Sequence, residues 1–189
     1  MEYENIAEKY PTLTTERLRL RPLKIQDAAD VFEYALDPEV TTYTVWYPHE
    51  KLQDSQMFIQ SILHQYENEE MAAYGIELKK KIIGTCGFIE YDKNHHKAEL
   101  AYALSKNYWR QGFATEAAKA FIGYGFETLQ LSRIEARCHV SNVQSEQVMK
   151  RLGMQYERTL RKDMFVKGAY RDTKIYAILR EEYDIQKGE

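Results

Sequence analysis

The sequence predicts an α/β layered domain. Three observations carry that reading. Segments that alternate apolar and polar at period two recur along the chain, and amphipathic segments of helical period lie between them. One alternating segment, Ala98-Glu-Leu-Ala-Tyr-Ala-Leu104, also feeds a helix through the turn Asn107-Tyr-Trp-Arg-Gln-Gly-Phe-Ala-Thr-Glu-Ala117. At 189 residues the chain can bury one core. It shows no repeat or low-complexity linker, so residues 1–189 are read as a single domain with a core over about 15–182.

The elements follow in order. Thr15-Glu-Arg-Leu-Arg-Leu-Arg-Pro22 reads as a first strand, with Leu18 and Leu20 on one face. Arg17, Arg19 and Arg21 share the other face. They read as a solvated row, since no aromatic platform accompanies them to suit a nucleic acid. Gln26 to Leu36 reads as a short helix ended by Asp37-Pro38. The aromatic stretch Thr41 to Pro48 is irregular. Glu50 to Glu69 is a helix presenting Met57, Phe58, Ser61, Ile62 and Tyr66.

Met71–Leu78 and Lys81–Tyr91 form a hairpin turning at Lys79-Lys80, and Gly84 and Gly87 mark a bulge or close backbone approach. A polar turn, Asp92 to Lys97, leads to the strand Ala98–Ser105. The helix after it runs from about Gln111 to Leu129 with Ala114, Ala117, Ala118, Phe121, Ile122 and Leu129 on one face. Arg133–Cys138 alternates again. Val143–Leu152 is a helix closed by Gly153, and Thr159–Val166 with Tyr170–Leu179 makes a last hairpin around Lys167-Gly168. The total is about seven strands flanked by about four helices.

Composition excludes several classes. A formal charge of −3 argues against general nucleic-acid binding. No apolar run reaches the ~20 residues of a membrane span. The acidic start, Met1 to Glu8, lacks the apolar core of a signal peptide, so a cytoplasmic location is expected. Cys86 and Cys138 then read as free thiols. His49, His64, His95 and His96 have no metal-ligand spacing, and no metal is expected. A dinucleotide oxidoreductase would want Gly-x-Gly-x-x-Gly, whereas this turn has one glycine.

The turn carries the chemistry. The first N–H groups of a helix lack intrahelical partners, and the helix dipole adds positive potential there, so phosphate oxygens bind. Gly112 lets the backbone approach a ligand and Ala114 keeps that approach low. A second block follows: Asn142-Val-Gln-Ser145, then Glu-Gln-Val-Met-Lys-Arg-Leu-Gly153-Met154.

Together the two blocks resemble the GCN5-related N-acetyltransferase (GNAT) family, and within it the RimJ/RimL ribosomal-protein branch. The family's loop, Gln/Arg-x-x-Gly-x-Gly/Ala, reads here Trp109-Arg-Gln-Gly112-Phe-Ala114. Trp109 departs from the pattern, and Arg110 stands where many relatives have Gly. The opening Thr15–Arg21 and the segment Gly168–Asp172 also resemble that branch. The resemblance implies a mixed, mostly antiparallel central sheet and acetyl-CoA as cosubstrate. It implies transfer to a primary amine by direct attack in a ternary complex, first of all to a protein or peptide N-terminal α-amine. A small amine (polyamine, aminoglycoside or amino-acid-like) is the alternative acceptor, and a non-catalytic CoA-binding domain the alternative class. A homodimer, through the late hairpin with Tyr170 and Tyr176, is also implied.

Residue roles follow from the same resemblance. The backbone of Arg110, Gln111, Gly112, Phe113, Ala114 and Thr115 would hold the pyrophosphate. The backbone of Tyr102, Ala103 and Leu104 would pair with the pantetheine arm, which Asn142 would also reach. Ser145 would lie near the sulfur as proton donor. Read from the residues alone, Asn142 is equally a helix N-cap and Ser145 a first-turn residue.

An amine of pKa ~10 is mostly protonated at neutral pH, so a base or a desolvated site is required. Glu99 is the candidate base; the other reading is a strand position facing solvent or pairing with Arg137. Cys138 reads as a core thiol, since adjacent His139 points to the opposite face. Trp46 and Tyr47, with Tyr43, and Tyr91, with Glu90 and Asp92, form an aromatic and acidic set that suits a cationic acceptor. A packed, partly exposed loop is the alternative.

Overall fold

A computed structural model describes residues 9–188; the acidic start from which the absence of a leader was read lies outside them. One mixed sheet runs β1-β2-β3-β4-β5-β6-β8-β7. Its strands are β1 (Leu13–Thr14), β2 (Arg19–Arg21), β3 (Tyr74–Leu78), β4 (Lys81–Asp92), β5 (Lys97–Leu104), β6 (Arg133–His139), β7 (Gln155–Val166) and β8 (Ala169–Leu179). Every neighbouring pair is antiparallel except β5 and β6. The helices are α1 (Ala28–Ala35), α2 (Pro38–Thr41), α3 (Leu52–Glu67), α4 (Phe113–Gly123), α5 (Val143–Arg151) and α6 (Arg180–Lys187). Among the described residues, no helix is long and apolar enough to cross a membrane.

The expected first strand is two. The chain bends at Glu16-Arg17, so β1 folds back on β2 with Leu13 opposite Leu20, and the sheet has eight strands rather than seven. Leu18 and Leu20 are buried as their alternation requires. Arg17 and Arg19 are exposed, as a solvated row requires, but the arginines are also ion-paired. Arg21 forks onto Asp27 at 2.8 and 2.9 Å and onto Glu77 at 2.5 Å, and Arg17 clamps Glu116 at the start of α4. Period two reported the faces correctly, but it carries no information about which carboxylates meet them.

The helix before β3 buries Ile62 and Tyr66 as expected, and Phe58 packs against the core, but Ser55 and Ile59 join that stripe while Met57 points to solvent. Lys79 and Lys80 both take positive φ in the β3–β4 turn, the twist that a two-residue hairpin needs. Gly84 is required by close approach, since a Cβ there would lie 2.2 Å from the Ala103 carbonyl oxygen. Two short helices, α2 and α6, went unforeseen: α2 rests on a Pro at its first turn with Asp37 accepting from the Glu39 N–H. In the late hairpin, Tyr170 is exposed but Tyr176 is buried and donates to Glu146. The edge strand is β7, since β8 lies between β6 and β7. Tyr176 therefore offers no dimer face.

Packing on the two sheet faces positions the site. Phe121 of α4 meets Phe88 of β4 edge-on with centroids 5.7 Å apart. Three residues back on β4, Thr85 faces the other way and bonds Tyr34 of α1. Strand alternation then puts α4 and α1 on opposite faces of the sheet. Both free cysteines are buried, Cys86 and Cys138 alike.

Candidate active site

The sheet opens at its one parallel pair. β5 and β6 are joined only from Lys97↔Arg133 to Glu99↔Glu135. Beyond Glu99 the two strands part, while β5 stays paired with β4 up to Leu104 and β6 stays paired with β8 up to His139. The Ser105 N–H donates to the Ile83 carbonyl, which turns the odd-numbered residues of this stretch toward β4. Leu100, Tyr102 and Leu104 therefore turn their backbone groups toward the gap. The Leu104 carbonyl accepts from the Trp109 indole Nε1 at 2.8 Å. Trp109, the departure from the loop pattern, thus fixes the end of the strand.

The turn that follows is left-handed at two positions. Arg110 and Gly112 both take left-handed φ, +60° and +82°. The position where relatives carry Gly is thus one that glycine fits best, and Arg110 holds it at a cost of about 1–2 kcal/mol. The first bond of α4 is the Glu116 N–H to the Gly112 carbonyl, so the amides of Phe113, Ala114 and Thr115 come before any intrahelical bond. Arg17 packs against this turn, a neighbour that sequence reasoning missed. Its guanidinium stacks 4.3 Å over the Phe113 ring, donates to the Gln111 carbonyl at 3.0 Å and pairs with Glu116. Alternation placed Arg17 on a strand face, and only the fold of β1 on β2 brings it here. Gln111 is held by its own Nε2 bond to the Asn107 carbonyl.

On the α4 side of the gap, α5 presents its first turn. Asn142 Oδ1 accepts the Ser145 N–H at 3.1 Å, so Asn142 is the N-cap. Ser145 Oγ and the Tyr102 hydroxyl lie 2.9 Å apart, and the same phenol donates to the Ser145 carbonyl at 3.2 Å. Burial holds the Tyr102 phenol well above its ordinary pKa, so it stays protonated. The structure thus gathers Tyr102, Asn142 and Ser145 in one place. Glu146 anchors the same turn to β8 through Lys174 at 2.8 Å and Tyr176 at 2.6 Å.

Glu99 stands on the opposite face, where β5 and β6 part. It is buried and ion-paired with Arg137. Burial raises its carboxyl above the ordinary glutamate range, Arg137 opposes that rise, and Glu90 and Glu135 add to it. Arg137 also faces Asp163 at 3.9 Å, while its Nε has no partner.

The aromatic set is not one groove. Tyr91 pairs with Ala98 at the closed end of β5 and carries Lys93 5.8 Å over its ring. Trp46 packs on His49 with centroids 5.6 Å apart, and Tyr47 lies under Lys167 at 5.5 Å. Their loop meets the open end of the sheet, where Tyr43 stacks on His139 at 5.3 Å. From Ala98 to the end of β5 is about 20 Å of strand. Tyr91 is therefore separated from the other two. Alternation in each strand could be read locally, but the end of the sheet at which a loop docks could not.

The parted parallel strands, the helix-N-terminal cradle and the paired hydroxyls define the acetyltransferase class. The acetyltransferase (GNAT) domain family matches residues 17–155, more than half of the chain, and the protein belongs to it as an N-acetyltransferase. An uncharacterized N-acetyltransferase, p20, of Bacillus licheniformis is 37% identical over 91% of this chain and 98% of its own. A ribosomal-protein-serine acetyltransferase of Escherichia coli is 31% identical over 61% of this chain and 64% of its own. A spermidine N(1)-acetyltransferase of the same organism is 26% identical over 88% of each. The crystal structure of a GNAT acetyltransferase from Bacillus anthracis superposes with a TM-score of 0.81 at 28% identity, covering 90% of this chain and 99% of that one.

Proposed function

We propose that this enzyme takes its acetyl group from acetyl-CoA and delivers it to the α-amine of a protein or peptide N-terminus. The observation that supports this reading is the gap between β5 and β6, with a phosphate cradle at one side and a buried carboxylate at its closed end. The residues fit the cosubstrate. A Cβ at Gly112 would crowd the Arg17 guanidinium at 3.3 Å, where an anion would sit, and the Leu100 and Tyr102 backbone groups face an open gap. Acetyl-CoA, when bound, supplies an activated acetyl thioester and a thiol leaving group.

The remaining work falls to the chain. Arg17 and the amides of Phe113 to Thr115 hold the phosphates. Glu99, its carboxyl pKa raised above the ordinary glutamate range by burial, accepts the ammonium proton at its carboxylate. Arg137 orients that carboxylate and holds its pKa down. The Tyr102 and Ser145 hydroxyls hold a proton in a shared bond and can pass it to the leaving sulfur. A tyrosine hydroxyl is the more acidic of the two, so Tyr102 acts through or beside Ser145.

A second reading, a polyamine acceptor, is favoured by Glu90 and Glu135, which flank Glu99 in strand register. An amine panel with mass detection separates the readings. It includes ribosomal-protein N-terminal peptides, spermidine and an aminoglycoside. Acetylation at a peptide α-amine supports the proposal, and faster turnover of spermidine selects the second reading. Tight acetyl-CoA binding with no acetylated amine would reduce the protein to a binding domain.

A further inference from the structure

A pocket at the open end of the sheet is lined by Tyr43, Val45, His139, Met164, Arg171 and Thr173, among others. Three observations give it a chemical character. Thr173 is 1% exposed, and its hydroxyl has no partner although it borders the pocket. A buried hydroxyl left unpaired costs about 1–3 kcal/mol, so a polar group from a ligand is well placed to relieve it. Next, two cations stand together here: Arg171, which lines the pocket, and Lys167, close enough to feel its charge. Lys167 Nζ donates to the Thr41 carbonyl, and Arg171 Nη1 donates to the Thr42 carbonyl at 3.0 Å. Burial and the neighbouring Arg171 charge lower the Lys167 pKa, as expected of a cation short of a counter-charge.

Two acids stand nearby: Asp172 accepts the Lys162 N–H at 2.8 Å and acts on His139 in the sense opposite to Arg171, and Asp163 faces Arg137 at 3.9 Å. Finally, the pocket lies on the face that carries Glu99. Glu135 pairs with Glu99 and His139 pairs with Thr173, and alternation puts Glu135, Arg137 and His139 on one side of β6. The four-residue step from Glu135 to His139 spans about 13 Å of strand.

We propose that this pocket, through Arg171, Lys167 and Thr173, receives a carboxylate of the acceptor and thereby selects acidic N-terminal segments over polyamines. The inference rests on the acetyltransfer reading and names its acceptor class more closely. With the amine at Glu99, the carboxylate falls within the ~13 Å step along β6, inside the reach of an extended peptide of up to about four residues. A polyamine would instead place a second ammonium against two cations.

The test uses two peptide amides identical except for Glu or Gln at the fourth residue, a tetrapeptide with a free C-terminal carboxylate, and spermidine. For the wild-type enzyme, kcat/KM for the Glu peptide is expected to exceed that of its Gln twin by about tenfold or more, mainly through KM, as a charge-assisted contact predicts. Preference for the free tetrapeptide alone would assign the pocket to a chain-terminal carboxylate rather than a side chain, still a carboxylate. Arg171→Gln should bring the Glu/Gln ratio toward one, and Arg171→Lys should retain part of it. Should Arg171→Gln fail to fold, Lys167→Gln reads the same ratio.

A wild-type ratio near one for both carboxylate positions, or equal losses for both twins in the variants, overturns the subsite. If no amine is acetylated, the acetyltransfer reading has failed instead. Calorimetric binding of the twin peptides then still decides: a difference of about tenfold supports the subsite and equal affinities overturn it.

Discussion

The two sides of the gap between β5 and β6 are built differently. On the side proposed to hold the cofactor, the assigned groups are backbone amides of one turn and one strand, and Gln111, Gly112 and Phe113 are neighbours in the chain. On the side proposed for the acceptor they are side chains from distant segments: Lys167 reaches back to Thr41, Arg171 to Thr42, and Tyr43 stacks on His139. A backbone site needs a local conformation, and a left-handed residue ahead of a helix announces it. A side-chain site needs three elements to dock in register, and no local pattern encodes that.

If the two sides work as proposed, variants on them should fail in separable ways. The largest effect is expected at the point where they meet. Glu99→Gln should lower kcat by about 10²–10⁴-fold, the usual worth of a general base, with acetyl-CoA affinity nearly preserved. A loss below about threefold would move proton removal to solvent.

On the cofactor side, Gly112→Asp adds a carboxylate and a Cβ at a φ of +82°, beside the Arg17 guanidinium. Acetyl-CoA affinity should fall about 100-fold by calorimetry, since a charge-assisted site is turned repulsive. Unchanged affinity in a folded variant would rule the turn out as the phosphate site.

Ser145→Ala and Tyr102→Phe should each lower turnover by about tenfold. The double variant should lose little more, because the two hydroxyls share one bond. Independent, multiplying losses would show that they do not act as a unit.

The mildest test is a pH profile. Burial already lifts the Glu99 pKa and Arg137 pulls it down, so Arg137→Gln should let it rise further. A base must be ionised to act, so the acid limb of kcat/KM should move to higher pH. A limb that stays in place, or moves down, would separate Glu99 from the limb.

The elements show where sequence was sufficient. Alternation in Arg133–Cys138 put Ile134, Ala136 and Cys138 inward, and they are buried. Helical period found α4 and its inward stripe, and Gly153 closes α5 with φ +77°. These readings held because a short repeat fixes which face is apolar. They failed where two faces carry similar apolar content. In α3, Met57 competes with Ile59, and only packing on α1 chooses the stripe through Ile59. Tyr176 failed for a related reason: a tyrosine suits an exposed or a buried site, and here Glu146 receives its hydroxyl indoors.

By itself, then, the sequence determined the order of elements, the glycine turn ahead of α4 and the cap at Asn142, because each follows from residues within a few positions of one another. Tertiary structure alone decided that Arg17 reaches that turn and that Tyr102 meets Ser145. It also parted Tyr91 from Trp46 and Tyr47, and set Thr173 beside Arg171 and Tyr43. These are contacts between elements, fixed by sheet order and the parting of β5 from β6, and a linear pattern of faces does not record which face meets which.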